Sequence, residues 1–246
     1  MPGSVKSEAI VLRSIRYGEA DRILHLYTPG RGRVGAIAKG VRRSRSRFGG
    51  RLEPFFRLNL VLHEGRSDLL TVTSAETLAG HRHLREDGPC LDSAARACEA
   101  VARLFDTNEP HPGVFNLLAN ELALLDGSAG GAASHATHAN QLAFRLKLLL
   151  AAGLAPQLAA CATCGEREHL TGFSGAAGGV VCSACEAGSF ALDAEAHEFM
   201  SRALGSPLAE APTAPARALR QADRAVVETV EHHVGIHLRE AAPRSR

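Results

Sequence analysis

The sequence predicts an α+β chain. A five-stranded β-barrel is expected over residues 1–80, then an all-helical domain over 81–246, with a four-cysteine module inserted at 158–188. Three observations predict this. Apolar residues alternate with period two up to about Leu78 and then recur every three to four residues. A run of cations interrupts the alternating region. Two Cys-x-x-Cys pairs interrupt the helical one.

Five short alternating runs mark the strands: 9–15, 23–27, 34–38, 56–62 and 70–75. In the fourth, Phe56, Leu58, Leu60 and Leu62 line one face. Turn signals separate the runs: Tyr17-Gly18-Glu19, Pro29-Gly30-Arg31-Gly32, Gly40, Gly49-Gly50 and the polar stretch from His63 to Asp68. Five strands in about 75 residues, with a basic loop between the third and fourth, fit a small closed barrel of the OB-fold type.

Beyond Leu78, Leu91, Ala94, Ala95, Cys98, Val101, Ala102 and Phe105 fall on one helical face, with Asp92 as the expected cap. A second helix is expected over 113–125. The composition of 127–139 reads as a flexible connector. Further helices are expected over 141–152, ended by Gly153 and Pro156, and over 194–204, capped by Asp193. A Pro-containing loop at 206–215 precedes a last helix over 216–239.

Net charge is only +2, yet residues 1–60 hold 13 Lys/Arg against 4 Asp/Glu, and the remainder holds 15 against 22. Such a split points to a polyanion-facing N-terminal part. Aromatics make up 4% of the chain and Trp is absent, which is thin for base stacking throughout. The N-terminus has no apolar stretch of signal-peptide length, and the apolar run at 148–155 is far short of a membrane span. In a chain of cytoplasmic character, six Cys point to metal or free thiols before disulfides.

Between Arg31 and Arg51 there are eight Lys/Arg and no carboxylate. Guanidinium forks match pairs of phosphate oxygens, and the glycines at 49 and 50 allow close approach. Lys39, Arg42, Arg43, Arg45, Arg47 and Arg51 are the expected phosphate contacts, with Arg31 and Arg33 in support. Phe48, inside the run, either stacks on a base or anchors the loop to the barrel.

Cys161-x-x-Cys164 and Cys182-x-x-Cys185 have the spacing of a four-cysteine zinc site. Four thiolates close a tetrahedral shell and leave no position for a reactive water, so zinc would be structural. The Gly-rich segment between the pairs is too polar to fold alone, and zinc can supply on the order of 10 kcal/mol to order it. Two redox dithiols or an iron–sulfur site are the other uses of such cysteines, but no redox fold surrounds these. Cys98 reads as a small core residue. His135 and His138 lie in the connector, and His232, His233 and His237 on an amphipathic helix, where surface or core roles outweigh metal binding. The chain contains no GxxxxGK[ST], HExxH or GxSxG, and the basic part has few carboxylates, so no catalytic site is expected.

Three stretches resemble the RecO family of bacterial recombination and repair mediators: Glu8 to Phe55, Leu58 to Leu78, and FRLKLLLAAGLAPQLAACATCG from Phe144 to Gly165. The resemblance implies an OB-fold, a helical C-terminal domain and a zinc module that is scaffold. It implies binding to single- and double-stranded DNA and annealing of complementary strands. It also implies loading of recombinase onto DNA coated by single-strand-binding protein, with RecR as partner, in the cytoplasm at the nucleoid. The acidic C-terminal tail of single-strand-binding protein would need a groove with basic rims, for which Arg145 and Lys147 are candidates. An RNA-binding OB protein of translation or ribosome assembly is the alternative.

Overall fold

The structure is a computed structural model describing residues 3–43, 46–65, 67–128, 135–239 and 241. The chain forms two compact units, Met1–Gly131 and Ala132–Arg246. The short alternating runs become five strands, β1 (Ser4–Tyr17), β2 (Asp21–Thr28), β3 (Gly32–Ala38), β4 (Arg57–His63) and β5 (Leu70–Ala79). They close in the order β1-β2-β3-β5-β4, the barrel of an OB-fold. Closure needs one parallel pairing, Ala36 with Leu70 and Ile37 with Thr71. β1 pairs with both β2 and β4, and a register shift between Val11 and Arg13 lets it bend from one to the other.

Alternation does the sorting. Ala9, Val11, Leu24, Leu26, Val34, Ala36, Leu58, Leu60, Leu62 and Val72 all point into the barrel core. The helices α1 (Arg82–Glu86), α2 (Gly88–Leu104) and α3 (Pro112–Ser128) complete the first unit. The cap of α2 is Asp87, whose carboxylate accepts from the Cys90 N–H at 2.9 Å, not Asp92. Pro89, in the first turn, starts the helix earlier than the apolar pattern alone suggests. Leu91 and Ala95 therefore lie outside the buried face, whereas Cys90 and Cys98 lie inside it. Burial pushes the Cys98 thiol up to about 12, as for an inert core residue.

The second unit holds α4 (His138–Ala151), α5 (Ala194–Gly205) and α6 (Ala216–Val234). Asp193 caps α5 by accepting from the Ala196 N–H at 2.8 Å, as the pattern predicts. Thr137 caps α4, so the helix begins inside the expected connector. Residues 129–134 of that connector are outside the described residues. His135 is buried, and His138 Nε2 lies 3.4 Å from Asp223 Oδ2, so neither belongs to a loose segment. α6 ends at Val234, five residues before the expected end, where Gly235 takes a φ of +71° that suits glycine. Between α4 and α5 the chain forms a sheet that the helical pattern does not announce. It contains β6 (Leu170–Ser174), β7 (Gly179–Cys182) and β8 (Phe190–Ala191) in the order β7-β6-β8. No helix of the described residues is long and apolar enough to cross a membrane.

Candidate nucleic-acid interface and metal centre

The basic loop between β3 and β4 is tied down at each end. Near its start, Gly40 has φ +69° and donates its N–H to Asp21 Oδ1 at 2.8 Å. Arg42 N–H bonds to the carbonyl of Ala20 at 3.0 Å. At the far end, Phe55 N–H bonds to the Val11 carbonyl and Val11 N–H to the Phe56 carbonyl. Glu53 pairs with Arg22 at 2.9 Å. In the middle, Phe48 and Leu52, both 1% exposed, enter the barrel core. Phe48 is thus an anchor and is not free to stack on a base.

These anchors alternate with cations that have nowhere to go but solvent. Lys39, Arg42, Arg43, Arg47 and Arg51 are exposed, and none makes an ion pair among the described residues. The Arg47 guanidinium lies over the Phe48 ring, 4.8 Å from its centroid, and Arg51 Nη1 donates to the Arg47 carbonyl. Asp21 and Glu53, the nearest carboxylates in sequence, are engaged in holding the loop. A set of unneutralised cations on a fixed frame can attract a polyanion. Arg45 is outside the described residues.

Arg31 and Arg33 do not join this set. They lie at the opposite end of β3, and the seven-residue strand separates them from Lys39 by roughly 20 Å or more. Arg31 pairs with Glu64. Arg33 is half-buried, with Nη1 donating to the Ala102 carbonyl and its N–H bonding to that of Thr107. It braces the barrel against the end of α2. Proximity in sequence conceals this, because an extended strand puts distance between its two ends.

Arg145 is also corrected. It is 2% exposed, its guanidinium 3.4 Å from the carboxylate of Asp223, and cannot form a basic rim. Asp223 gathers Arg145, His138 and the Ala241 N–H, the last at 2.9 Å, so this is an internal tie. Lys147 is half-buried with Nζ on the Leu204 carbonyl at 3.3 Å, and burial holds its ammonium below the usual lysine range. Both residues are the charged minority of an apolar helix. Periodicity alone does not reveal that α6 covers Arg145.

The four cysteines converge as their spacing predicts. The sulfurs of Cys161, Cys164, Cys182 and Cys185 all lie within 4.8 Å of one another, and Cys164 and Cys182 are 3.7 Å apart. Sulfurs about 2.3 Å from a central ion form a tetrahedron with edges of about 3.8 Å. The group can therefore hold one metal ion. Each pair sits on a tight turn: Gly165 N–H bonds to the Cys161 carbonyl at 2.9 Å, and Cys185 N–H to that of Cys182 at 2.9 Å. Gly165 turns the chain away with φ +81°. Burial pushes the Cys161 thiol up, but N–H groups from Cys164, Cys182 and Thr163 outweigh it and bring it down to about 6. Cys185 is pushed up to about 12, mainly by its hydrogen bonds with Cys164 and Cys182. Gly179 is needed for packing, since a Cβ there would collide with the Gln157 carbonyl oxygen.

Comparison with known proteins agrees with this layout. A family model described as Recombination protein O N terminal matches residues 1–81, and one described as Recombination protein O C terminal matches 85–242. A DNA repair protein RecO of Rubrobacter xylanophilus is 41% identical over 244 residues, covering 96% of this chain and 93% of the relative. One from Anaeromyxobacter dehalogenans is 38% identical over 242 residues, covering 95% and 93%. One from Bifidobacterium longum is 38% identical over 182 residues, covering 73% of each. With family models across nearly its whole length and relatives this similar, the chain belongs to the RecO family.

Proposed function

We propose that the chain is a DNA repair protein acting as a recombination mediator without catalysis of its own. It binds single- and double-stranded DNA through the β3–β4 loop, anneals complementary strands, and helps load recombinase onto DNA coated by single-strand-binding protein. Residues 1–80 serve as the DNA-binding domain and 81–246 as the helical part, whose first three helices share the barrel's compact unit, with 158–188 as a zinc-held module within it. RecR and the C-terminal tail of single-strand-binding protein are its protein partners, and it works in the cytoplasm at the nucleoid.

The observation that carries this reading is the set of five exposed, unneutralised cations on a loop anchored in the barrel core. Phosphate contacts position a strand without reading its sequence. Two complementary polyanions repel one another, and cations on the loop screen that repulsion. Phe48 and Phe55 are buried and Phe56 packs against the barrel core, so the loop offers no free aromatic to sequester bases and pairing edges stay open. The four-thiol group suits zinc, the ion that most commonly takes four cysteines in a closed tetrahedral shell. Zinc would be held by Cys161, Cys164, Cys182 and Cys185 and would order the module. It would leave no open coordination position for chemistry.

Annealing tests the proposal. Two complementary oligonucleotides are coated with the cognate single-strand-binding protein and mixed with the wild type or with the Arg42/Arg43/Arg45/Arg47 quadruple Ala variant. The wild type is expected to accelerate annealing and the variant to lose the acceleration. Tight binding without acceleration would contradict the mediator reading. Tighter binding to RNA than to DNA of the same sequence would favour an RNA-binding role.

A further inference from the structure

Tyr17 is the most exposed of the large hydrophobic side chains among the described residues, at 54%, and it belongs neither to the basic loop nor to the barrel core. It ends β1 at the β1–β2 turn, the same turn that holds the basic loop through Ala20 and Asp21. The register places Arg13, Ile15 and Tyr17 opposite His25, Ile23 and Asp21. Leu24 and Leu26 point into the core, so these residues face outward. Ile23 in turn pairs with Ile37 on β3, giving a row of three half-buried isoleucines across adjacent strands. The cations Arg13, Lys39 and Arg42 are exposed around this row, and Glu19 is the exposed carboxylate on the turn. Lys39 lies one residue beyond β3, about two strand spacings, or ~10 Å, from Tyr17.

An aromatic ring and an apolar row rimmed by cations match the chemistry of an unpaired nucleotide: a flat apolar base on an anionic backbone. We infer that Tyr17 stacks on one base of a single strand whose phosphates are held by Lys39, Arg42 and Arg43, with the Ile15–Ile23–Ile37 row beneath its neighbour. This rests on the DNA-binding reading and deepens it. The loop supplies charge common to both forms of DNA, and Tyr17 supplies preference for the unpaired form. One stacked base would fix the strand while leaving the others free to pair.

The test is the affinity of wild type and Tyr17→Ala for a single-stranded oligonucleotide and for a duplex of equal length, each across a salt series. The expected result is a loss of about 5- to 100-fold on the single strand, with the duplex affinity and both salt slopes unchanged. Since the chain has no Trp, Tyr17→Trp introduces a single indole fluorophore, whose emission should be quenched by the single strand and not by the duplex. Equal losses on both forms, unchanged single-strand affinity, or indole emission in the Tyr17→Trp variant that the single strand leaves unquenched would each overturn the inference while leaving the loop in place. A wild type that binds neither form would overturn the DNA-binding reading and this inference with it.

Discussion

The barrel and the cysteine module solve the same problem with different means. Thirteen buried apolar residues among those described hold the barrel, including Phe48 and Leu52 sent inward by its own basic loop. The module's cluster has three, Cys161, Val181 and Cys182, two of them prospective metal ligands. A core of the first kind can carry a patch of unneutralised charge, because apolar burial offsets the repulsion among the arginines. A core of the second kind has little apolar area to spare, and its order is expected to depend on what the sulfurs bind. The module also leans on its neighbours within the second unit. The Arg224 guanidinium of α6 lies 4.1 Å from the centroid of Phe190, which packs on Phe173.

The largest expected effect is therefore metal removal. Stripping the protein with a chelator, or replacing Cys161 and Cys182 with Ser, should open 158–188 to protease while the barrel keeps its protection. Metal analysis should find one zinc per chain. A module that resists protease without metal would erase the contrast. Next in size is Phe48→Ala, which should cost the first unit about 3–5 kcal/mol by leaving a cavity at a site 1% exposed. Chemical denaturation measures it, and DNA affinity should fall with it because the loop loses its anchor. A change below about 1 kcal/mol would show that the loop is not held by the core.

A smaller effect is expected at Asp193, where the N-cap of α5 also pairs with Arg217 at 2.7 Å. Asp193→Ala should cost about 1 kcal/mol. Burial raises its carboxyl pKa, but N–H donors from Ala196 and Glu195 and the Arg217 guanidinium outweigh it and hold it below the ordinary aspartate value. A depressed folded value means that this contribution is present above about pH 4 and is lost as pH falls through the folded pKa. Acid titration of wild type and variant should therefore converge at low pH. Divergence there would contradict the assignment.

Much of this contrast was legible in the sequence. Period-two alternation located all five strands, because one face of each is buried and register fixes which. Cys-x-x-Cys spacing located the thiol group, since a tight turn across a two-residue gap aims both sulfurs at one ion. What stayed hidden depends on distance through space. Arg33 reads as part of a basic run until β3 is laid out as an extended strand. Arg145 reads as a surface cation until Asp223, far along the chain, is brought beside it. The β6–β8 sheet was masked by glycines, which the strand pattern counts as breakers but which this small sheet needs for close approach, as at Gly179. Phe48 had two equal readings because its position in a basic run says nothing about which side of the loop it faces.

The most direct test of the loop's role is the salt dependence of single-strand binding. With the five exposed loop cations each neutralising one phosphate, log K should fall with log salt at a slope of about −3.5, and the Arg42/Arg43/Arg45/Arg47 quadruple Ala variant should show less than half of it. A variant with the wild-type slope would show that the loop is not where this protein meets DNA.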